Sequence, residues 1–356
     1  MELLTSNIPP LKTENRDFAS CFEELIQQTD HLRIATGYVS ADAMTELKKI
    51  IEANERPTLE LLIGMHYYEG FSRVQYDAAV YLDEFLQDKD MGGVKVATVF
   101  KFHGKLYSFQ KNNTAFAGIL GSSNLNCILQ GHRNYETDLL VTDVGVLKQL
   151  DALVSQLCNR VGTSLQEISE IKIIESNTLL EDHDRVEAVA KETLASIWAS
   201  RSDVIFPLPI KGDEAPNSNL NAFFGRGRVN QRGFVKPRHW YEVEVIVPKS
   251  ITDHGKYPKA GYPNRESVIT VYTDDGWRFN CKISGQNSKN FRSEDDLKIL
   301  GKWLKGRLEN SGSLKIGEPV TDAVLQHYGR NTIDLIATDD PQIWLLDFGV
   351  KHESLK

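Results

Sequence analysis

Long apolar runs are missing from this sequence, and nothing in it approaches the ~20 residues that a membrane-spanning helix requires. The opening MELLTSNIPPLKTENRDF has neither the basic start nor the apolar stretch of a secretory signal, so the chain is expected to stay in the cytoplasm, with no membrane partner. Cysteine is scarce: Cys21, Cys127, Cys158 and Cys281 stand far apart, with no Cys-x-x-Cys pair and no neighbouring His. That spacing argues against a zinc site or a disulfide framework and leaves four reduced structural thiols. Positive charge is the minority sign, 41 Lys and Arg against 49 Asp and Glu, and the net charge of −8 argues against a protein that coats nucleic acid indiscriminately. Gly and Pro, 25 and 12 of 356 residues, are too few for a low-complexity chain.

What is present is enough apolar residue, 41%, for two cores of ordinary size. In the first half, LRIATGYVS (32–40), ADAMTELKKIIEAN, LELLIGMHY (59–67) and an amphipathic stretch at 73–89 read as β, α, β, α. Four strand-like segments follow, VKVATVF (94–100), KLYSFQ (105–110), TAFAGILGSSN (114–124) and ETDLLVTD (136–143), then a helix from Val144 to Val161. This pattern predicts an α/β domain with a mixed sheet over 1–176. Residues 177–202 carry the helical stripe Leu179, Val186, Val189, Leu194 and Trp198, and are expected to be a helical linker. From 203 to 356 the texture is mainly β, with HWYEVEVIVP, ESVITVYTDDGWRFNCKIS and QIWLLDF and one helix over 294–309, which predicts a small barrel with Trp240, Trp277, Trp303 and Trp344 in its core. Residues 217–256 and 282–307 each carry an excess of four positive charges, so this half has a polyanion-facing side.

The triplet His-Gly-Lys occurs twice, at 103–105 and at 254–256. Chance alone supplies roughly 0.6 His-x-Lys triplets in such a chain, so only the surroundings distinguish the two. After His103 come a strand, a turn, a second strand and Gly-Ser-Ser-Asn, and twelve residues past Asn124 stands Glu136. His103, Lys105, Ser122, Asn124 and Glu136 at neighbouring strand ends make a candidate phosphodiester site: a nucleophile, a cation, neutral donors and a carboxylate to orient the imidazole. No pair of carboxylates is required, so neither a metal nor another cofactor is expected. The plainer alternatives are a strand-end histidine, a Gly-Ser-Ser-Asn turn and a solvated Glu136, with His132 and Arg133 as surface residues. After His254 no Gly-Ser-x-Asn follows, and Thr273 stands where a Ser is due. This copy reads as a surface turn.

FHGKLYSF, GSSN and YETDLLV together resemble the single active-site motif of the phospholipase D superfamily, in the arrangement of its nuclease members, and IATGYVS resembles their first strand. The superfamily's Asp, five residues after the Lys, is Gln110 here, and Glu136 matches the glutamate of related nucleases. GRGRVNQRGFVKPRHWYEVEV, YTDDGWRFNCKISGQNSKNFRS and LGKWLKGRLENSG resemble the C-terminal part of the NgoFVII-type restriction endonucleases, whose DNA-recognition domain is similar to plant B3 domains. BfiI is a more distant relative with the same two-part layout.

The resemblance implies an α/β phospholipase D-like nuclease domain with a mixed sheet, followed by a mainly-β B3-like pseudobarrel that recognises DNA. It further implies metal-independent cleavage of double-stranded DNA through a phosphohistidine, in a homodimer that shares one active site through the N-terminal domain. A matching DNA methyltransferase is the implied functional partner. Two arms, near 221–234 and 285–293, are expected to enter the major groove with Arg226, Arg228, Gln231 and Arg232, and with Gln286, Asn287, Lys289, Asn290 and Arg292, whose side chains suit purine edges. The rival readings are a lipid-directed phospholipase D and a DNA-binding protein with a vestigial nuclease site.

Overall fold

The computed structural model describes residues 1–129, 134–174, 179–180, 183, 185–212, 219–261 and 266–350. It divides into two compact units, Met1–Asn177 with Gly227–Pro237, and Thr178–Arg226 with Arg238–Lys356.

In the first unit the chain runs β1 (Glu2–Thr5), α1 (Phe18–Ile26), β2 (His31–Thr36), α2 (Ala41–Asn54), β3 (Thr58–Ile63), α3 (His66–Glu69), β4 (Phe71–Ser72), α4 (Arg73–Asp88), β5 (Gly92–Ala97), β6 (Lys105–Lys111), β7 (Thr114–Gly121), β8 (Thr137–Val141), α5 (Val144–Gln156), β9 (Gly162–Ser164) and β10 (Ile173–Ile174). The helices begin where a side chain accepts an orphan N–H: Ser40 for α2, Ser72 with Gln75 as a reciprocal pair for α4, and Asp143 for α5. Eight strands form one mixed sheet in the order β1-β8-β7-β6-β2-β3-β5-β9. β2, β3 and β5 are parallel, as the β-α-β-α reading requires, and the rest pair antiparallel.

Period-2 alternation divides the chemistry between the two faces of this sheet. Along β6, Tyr107 and Phe109 pack against Phe18 and Phe22 of α1, on the face that also carries Lys105. Ser108 and Gln110 point the other way and bond Asp151 of α5, at 2.8 and 2.6 Å. An odd step of five residues therefore places Gln110 across the sheet from Lys105. Arg33 joins the same cluster, donating to Asp151 at 3.0 Å and to Glu60 at 2.5 Å. Below it Ala35, Leu62 and Ala97 pack against Leu150, Val154 and Leu157.

The second unit begins with β11 (Glu187–Ala188), α6 (Lys191–Ala199) and β12 (Arg201–Pro209). After the hairpin β13 (Arg228–Val229) and β14 (Val235–Lys236), which is part of the first unit, it continues through β15 (Val245–Ile246), α7 (Lys249–Thr252), β16 (Ser267–Thr273), β17 (Trp277–Ser284), β18 (Asn290–Ser293), α8 (Lys298–Asn310), α9 (Asp322–Tyr328), β19 (Thr332–Thr338) and β20 (Ile343–Asp347). Its sheet runs β12-β19-β20-β16-β17-β18-β15, and the end strands β12 and β15 approach each other, so the sheet curls into a half-barrel. Trp240, Trp303 and Trp344 are buried, as expected, and Trp277 is half-buried. The core also holds a charge: the Lys305 Nζ donates to the Trp240 carbonyl at 2.6 Å, beside Glu309, which accepts from the Trp240 indole and the Tyr241 hydroxyl, each at 2.8 Å.

Three expectations are corrected. The helix expected over 177–202 is confined, among the described residues, to α6, because Glu187 and Ala188 pair with Arg278 and Trp277 of β17 and sheet bonding overrides the helical stripe. The helix expected from residue 294 starts at Lys298, since the Glu294 N–H still bonds Asn280 across the sheet. Of HWYEVEVIVP only Val245 and Ile246 join a ladder.

Candidate active site and recognition arms

His103 sits on the loop between β5 and β6, exposed, directly before Lys105 enters the sheet. The loop is fixed by backbone. Phe102 donates to the Gly64 carbonyl at 3.1 Å, and a Cβ on Gly64 would lie 1.9 Å from the Phe102 oxygen, so only glycine allows this approach. The Lys105 side chain folds back onto His103. Its Nζ donates to the His103 carbonyl at 2.7 Å and lies 3.2 Å from ring Nε2 and 3.4 Å from Nδ1. Burial pulls the Lys105 ammonium below the usual lysine range, and the Glu136 carboxylate partly restores it.

The Gly-Ser-Ser-Asn segment leaves β7 and is pinned to β8 by its two serines. The Ser122 hydroxyl accepts from the Thr137 N–H at 2.9 Å and donates to the Thr137 carbonyl at 3.2 Å. Ser123 is fully buried and donates its hydroxyl to Asp138 at 2.6 Å and its N–H at 2.9 Å, while burial raises the Asp138 carboxyl. Asn124 is thereby carried to the end of β2, where its Oδ1 accepts from the Tyr38 N–H at 3.0 Å and the Thr36 hydroxyl at 3.3 Å. A backbone N–H can only donate, so the amide oxygen is held inward and the NH2 group is left to donate elsewhere. Gly37 lies between the two. A Cβ there would stand 3.0 Å from His103 Cδ2 and 3.5 Å from Asn124 Oδ1. The Tyr38 ring meets the His103 imidazole edge-on at 5.5 Å, and behind it a buried His66 accepts from the Val39 N–H at 3.3 Å.

The structure thus brings together His103, Lys105 and Asn124, with Ser122 as a buttress. It does not join Glu136 to His103. Among the described residues the Glu136 carboxylate makes no hydrogen bond or ion pair, although its backbone N–H is held by Ser6 at 2.7 Å. Gly37, Thr36, Tyr38 and Asp138 are site residues that the sequence reading missed. Gly37 stood in view as the one flexible residue of IATGYVS, whereas nothing local marked Asp138. His132 and Arg133 lie outside the described residues. His254 occupies an exposed turn of the second unit, where its Nδ1 accepts from the Lys256 N–H and its ring meets Phe206.

Of the recognition candidates, Arg226, Arg228, Gln231 and Arg232 are exposed, as are Gln286, Asn287 and Lys289 on the turn between β17 and β18. Asn290 and Arg292 are half-buried on β18; the Asn290 Oδ1 and the Arg292 Nε are shielded without a hydrogen bond, and Arg292 reaches Glu244 only at 4.0 Å. The first arm is not one piece, because 221–226 are part of the second unit and 227–237 part of the first.

Comparison with known proteins gives two family matches. Residues 16–170 match the NgoFVII restriction endonuclease N-terminal PLD domain, and residues 196–339 match the NgoFVII C-terminal B3-like DNA-binding domain. No curated protein matches the chain. Among solved structures, NucT from Helicobacter pylori is similar at 13% identity over 41% of this chain and 89% of its own, with a TM-score of 0.31. Nuc from Salmonella typhimurium, a phospholipase D family member, is similar at 13% identity over 46% of this chain and 95% of its own, also with a TM-score of 0.31.

Proposed function

The chain belongs to the NgoFVII-type restriction endonucleases, with both their PLD nuclease and B3-like DNA-binding domains, and from that premise we propose that it hydrolyses double-stranded DNA without a metal, through a phosphohistidine on His103, in one site built by two copies. The observation that carries this reading is an exposed imidazole with an ammonium 3.2 Å away and, beside it, an amide whose NH2 group makes no hydrogen bond among the described residues. Such a set suits an anionic phosphodiester and repels a metal cation.

In the first step a ring nitrogen of His103 attacks the phosphorus, and the P–N bond forms as the bond to the leaving oxygen breaks. The partner subunit's His103 gives that oxygen its proton. Water then attacks the phosphohistidine, losing a proton to the same imidazole as the P–N bond breaks. The Lys105 ammonium and the Asn124 amide face the charge that builds on the non-bridging oxygens, where preorganised donors contribute most. Ser122 holds the loop that carries Asn124.

Among the described residues of one copy the His103 imidazole meets no carboxylate, and the Glu136 carboxylate meets no imidazole. A two-fold pairing satisfies both and supplies nucleophile and general acid from one residue type. Specific cleavage by such an enzyme requires that the host's own sites be masked, which is the task of a matching methyltransferase. Among the described residues no helix is long and apolar enough to cross a membrane.

Incubating supercoiled plasmid with the protein in EDTA and sequencing the ends tests the reading. Discrete ends at a repeated sequence are expected; strict dependence of the chemical step on added magnesium would sink it.

A further inference from the structure

The hairpin Gly227–Pro237 has two strands of two residues each, too short to hold a shape in water without support. Its support comes from inside the first unit. Asn54, the last residue of α2, accepts from the Val235 N–H at 2.8 Å and donates to the Val235 carbonyl at 2.9 Å. It also donates to the Ile50 carbonyl of its own helix at 2.8 Å, so the amide is fixed at the helix end while it grips both polar groups of one hairpin residue. A second contact runs from the Asn230 amide to Gln27 at 3.0 Å, and a third from Lys236 to Glu23 at 2.5 Å. That third pair is exposed, and exposed ion pairs contribute little. Inside the hairpin, the Asn230 Oδ1 accepts from the N–H groups of Arg232 and Phe234, which shapes the tip, and Phe234 is buried. Arg228, Gln231 and Arg232 are left exposed, with no hydrogen bond or ion pair from their side chains among the described residues.

We infer that Asn54 is a positioning residue for DNA recognition: by clasping Val235 it presents the hairpin from the nuclease unit, so that Arg228, Gln231 and Arg232 meet a duplex in a fixed pose. A two-point grip on one residue sets the rotation of the ribbon as well as its place, which a single bond or a flexible ion pair does not. Without it the hairpin remains tethered at both ends, but its side chains must be ordered at the moment of binding, and that cost falls on the sequence requiring the defined pose. Phosphate contacts, which tolerate many poses, are affected less. The inference rests on the proposed role of these side chains in reading DNA.

The test uses the full-length protein and two duplexes, one bearing the site mapped from sequenced ends and one scrambled. Asn54→Ala is expected to lower the ratio of the two affinities about tenfold or more. Asn54→Gln, which keeps donor and acceptor one methylene further out, should restore part of it. Arg232→Ala run alongside separates the failures. If Arg232→Ala lowers the ratio and Asn54→Ala does not, the clasp is overturned while the reading arm stands. If neither changes it, the arm does not read DNA and the inference falls with it. Should Asn54→Ala fail to fold, amide exchange in the wild type decides: protection at Val235 supports the clasp, and exchange at the rate of an open loop overturns it.

Discussion

Gly37→Ala perturbs His103, the proposed nucleophile, and the neighbouring Asn124 with one methyl group. The new Cβ would stand 3.0 Å from His103 Cδ2, 3.3 Å from His103 Cα and 3.5 Å from Asn124 Oδ1. Carbon atoms prefer a separation of ~3.5–4.0 Å, so relief requires a displacement of roughly 0.5–1 Å at the ring. The contact at Cα means that rotation of the side chain alone does not suffice. His103 is exposed and its loop can yield outward, so the cost in stability is small, at most ~1–2 kcal/mol for a modest overpacking. The cost in rate is larger, because a misplacement of ~1 Å at a reacting group costs roughly a hundredfold. The expected loss is therefore ~10–100-fold in the single-turnover cleavage rate, equivalent to ~1.4–2.8 kcal/mol in the barrier, with site binding retained. Cleavage at the wild-type rate by a folded Gly37→Ala protein would show that His103 does not stand against Gly37 when it reacts.

Asp151→Asn should lower the stability of the first unit by ~1–3 kcal/mol, since charge-assisted bonds from Arg33, Ser108 and Gln110 all end on that carboxylate; a melting curve unchanged from wild type would count against the cluster. Burial lowers the Lys305 ammonium to about 7, against a smaller opposing effect of Glu309. Between pH 7 and the ordinary lysine range the unfolded chain then holds a proton that the folded chain has released, so the second unit should gain stability as pH rises through that window. Lys305→Met should remove this slope, and a slope that survives the substitution belongs to another group. His254→Ala should leave the cleavage rate within twofold of wild type, as no donor or carboxylate set accompanies that turn; a loss as deep as that of His103→Ala, with DNA binding intact, would reverse the choice between the two triplets.

The first sheet was legible because its strands alternate or run apolar between clear turns, and the parallel trio β2, β3, β5 follows from the helices between them. The nearness of three candidate residues was legible through spacing: His103 and Lys105 share one strand entrance, and a hairpin returns Asn124 beside them. What spacing could not give is the partner of each polar group. That Asp151 rather than a residue of β6 gathers Arg33, Ser108 and Gln110 depends on which helix covers that face, and α5 is some forty residues further along the chain. That Glu136 leaves its own imidazole alone is likewise a matter of three-dimensional reach. In the second half, β12 was missed because Pro207 and Pro209 argue against a strand, yet β12 lies at an end of the sheet order, where proline is tolerated. The stretch 221–234 is expected to be an arm from its Gly, Asn and Arg content, but the attachment of its hairpin to α2 rests on Asn54, about 180 residues earlier, which no local pattern marks.

The proposed covalent step on His103 is tested most directly by stopping plasmid cleavage in EDTA at early times, digesting the protein and weighing the peptides. The expected result is a DNA-phosphate adduct on the peptide containing His103, appearing and decaying at rates compatible with turnover and absent from His103→Ala, which should not cleave. Cleavage that proceeds at full rate with no adduct, or an adduct on any other side chain, would contradict a phosphohistidine on His103.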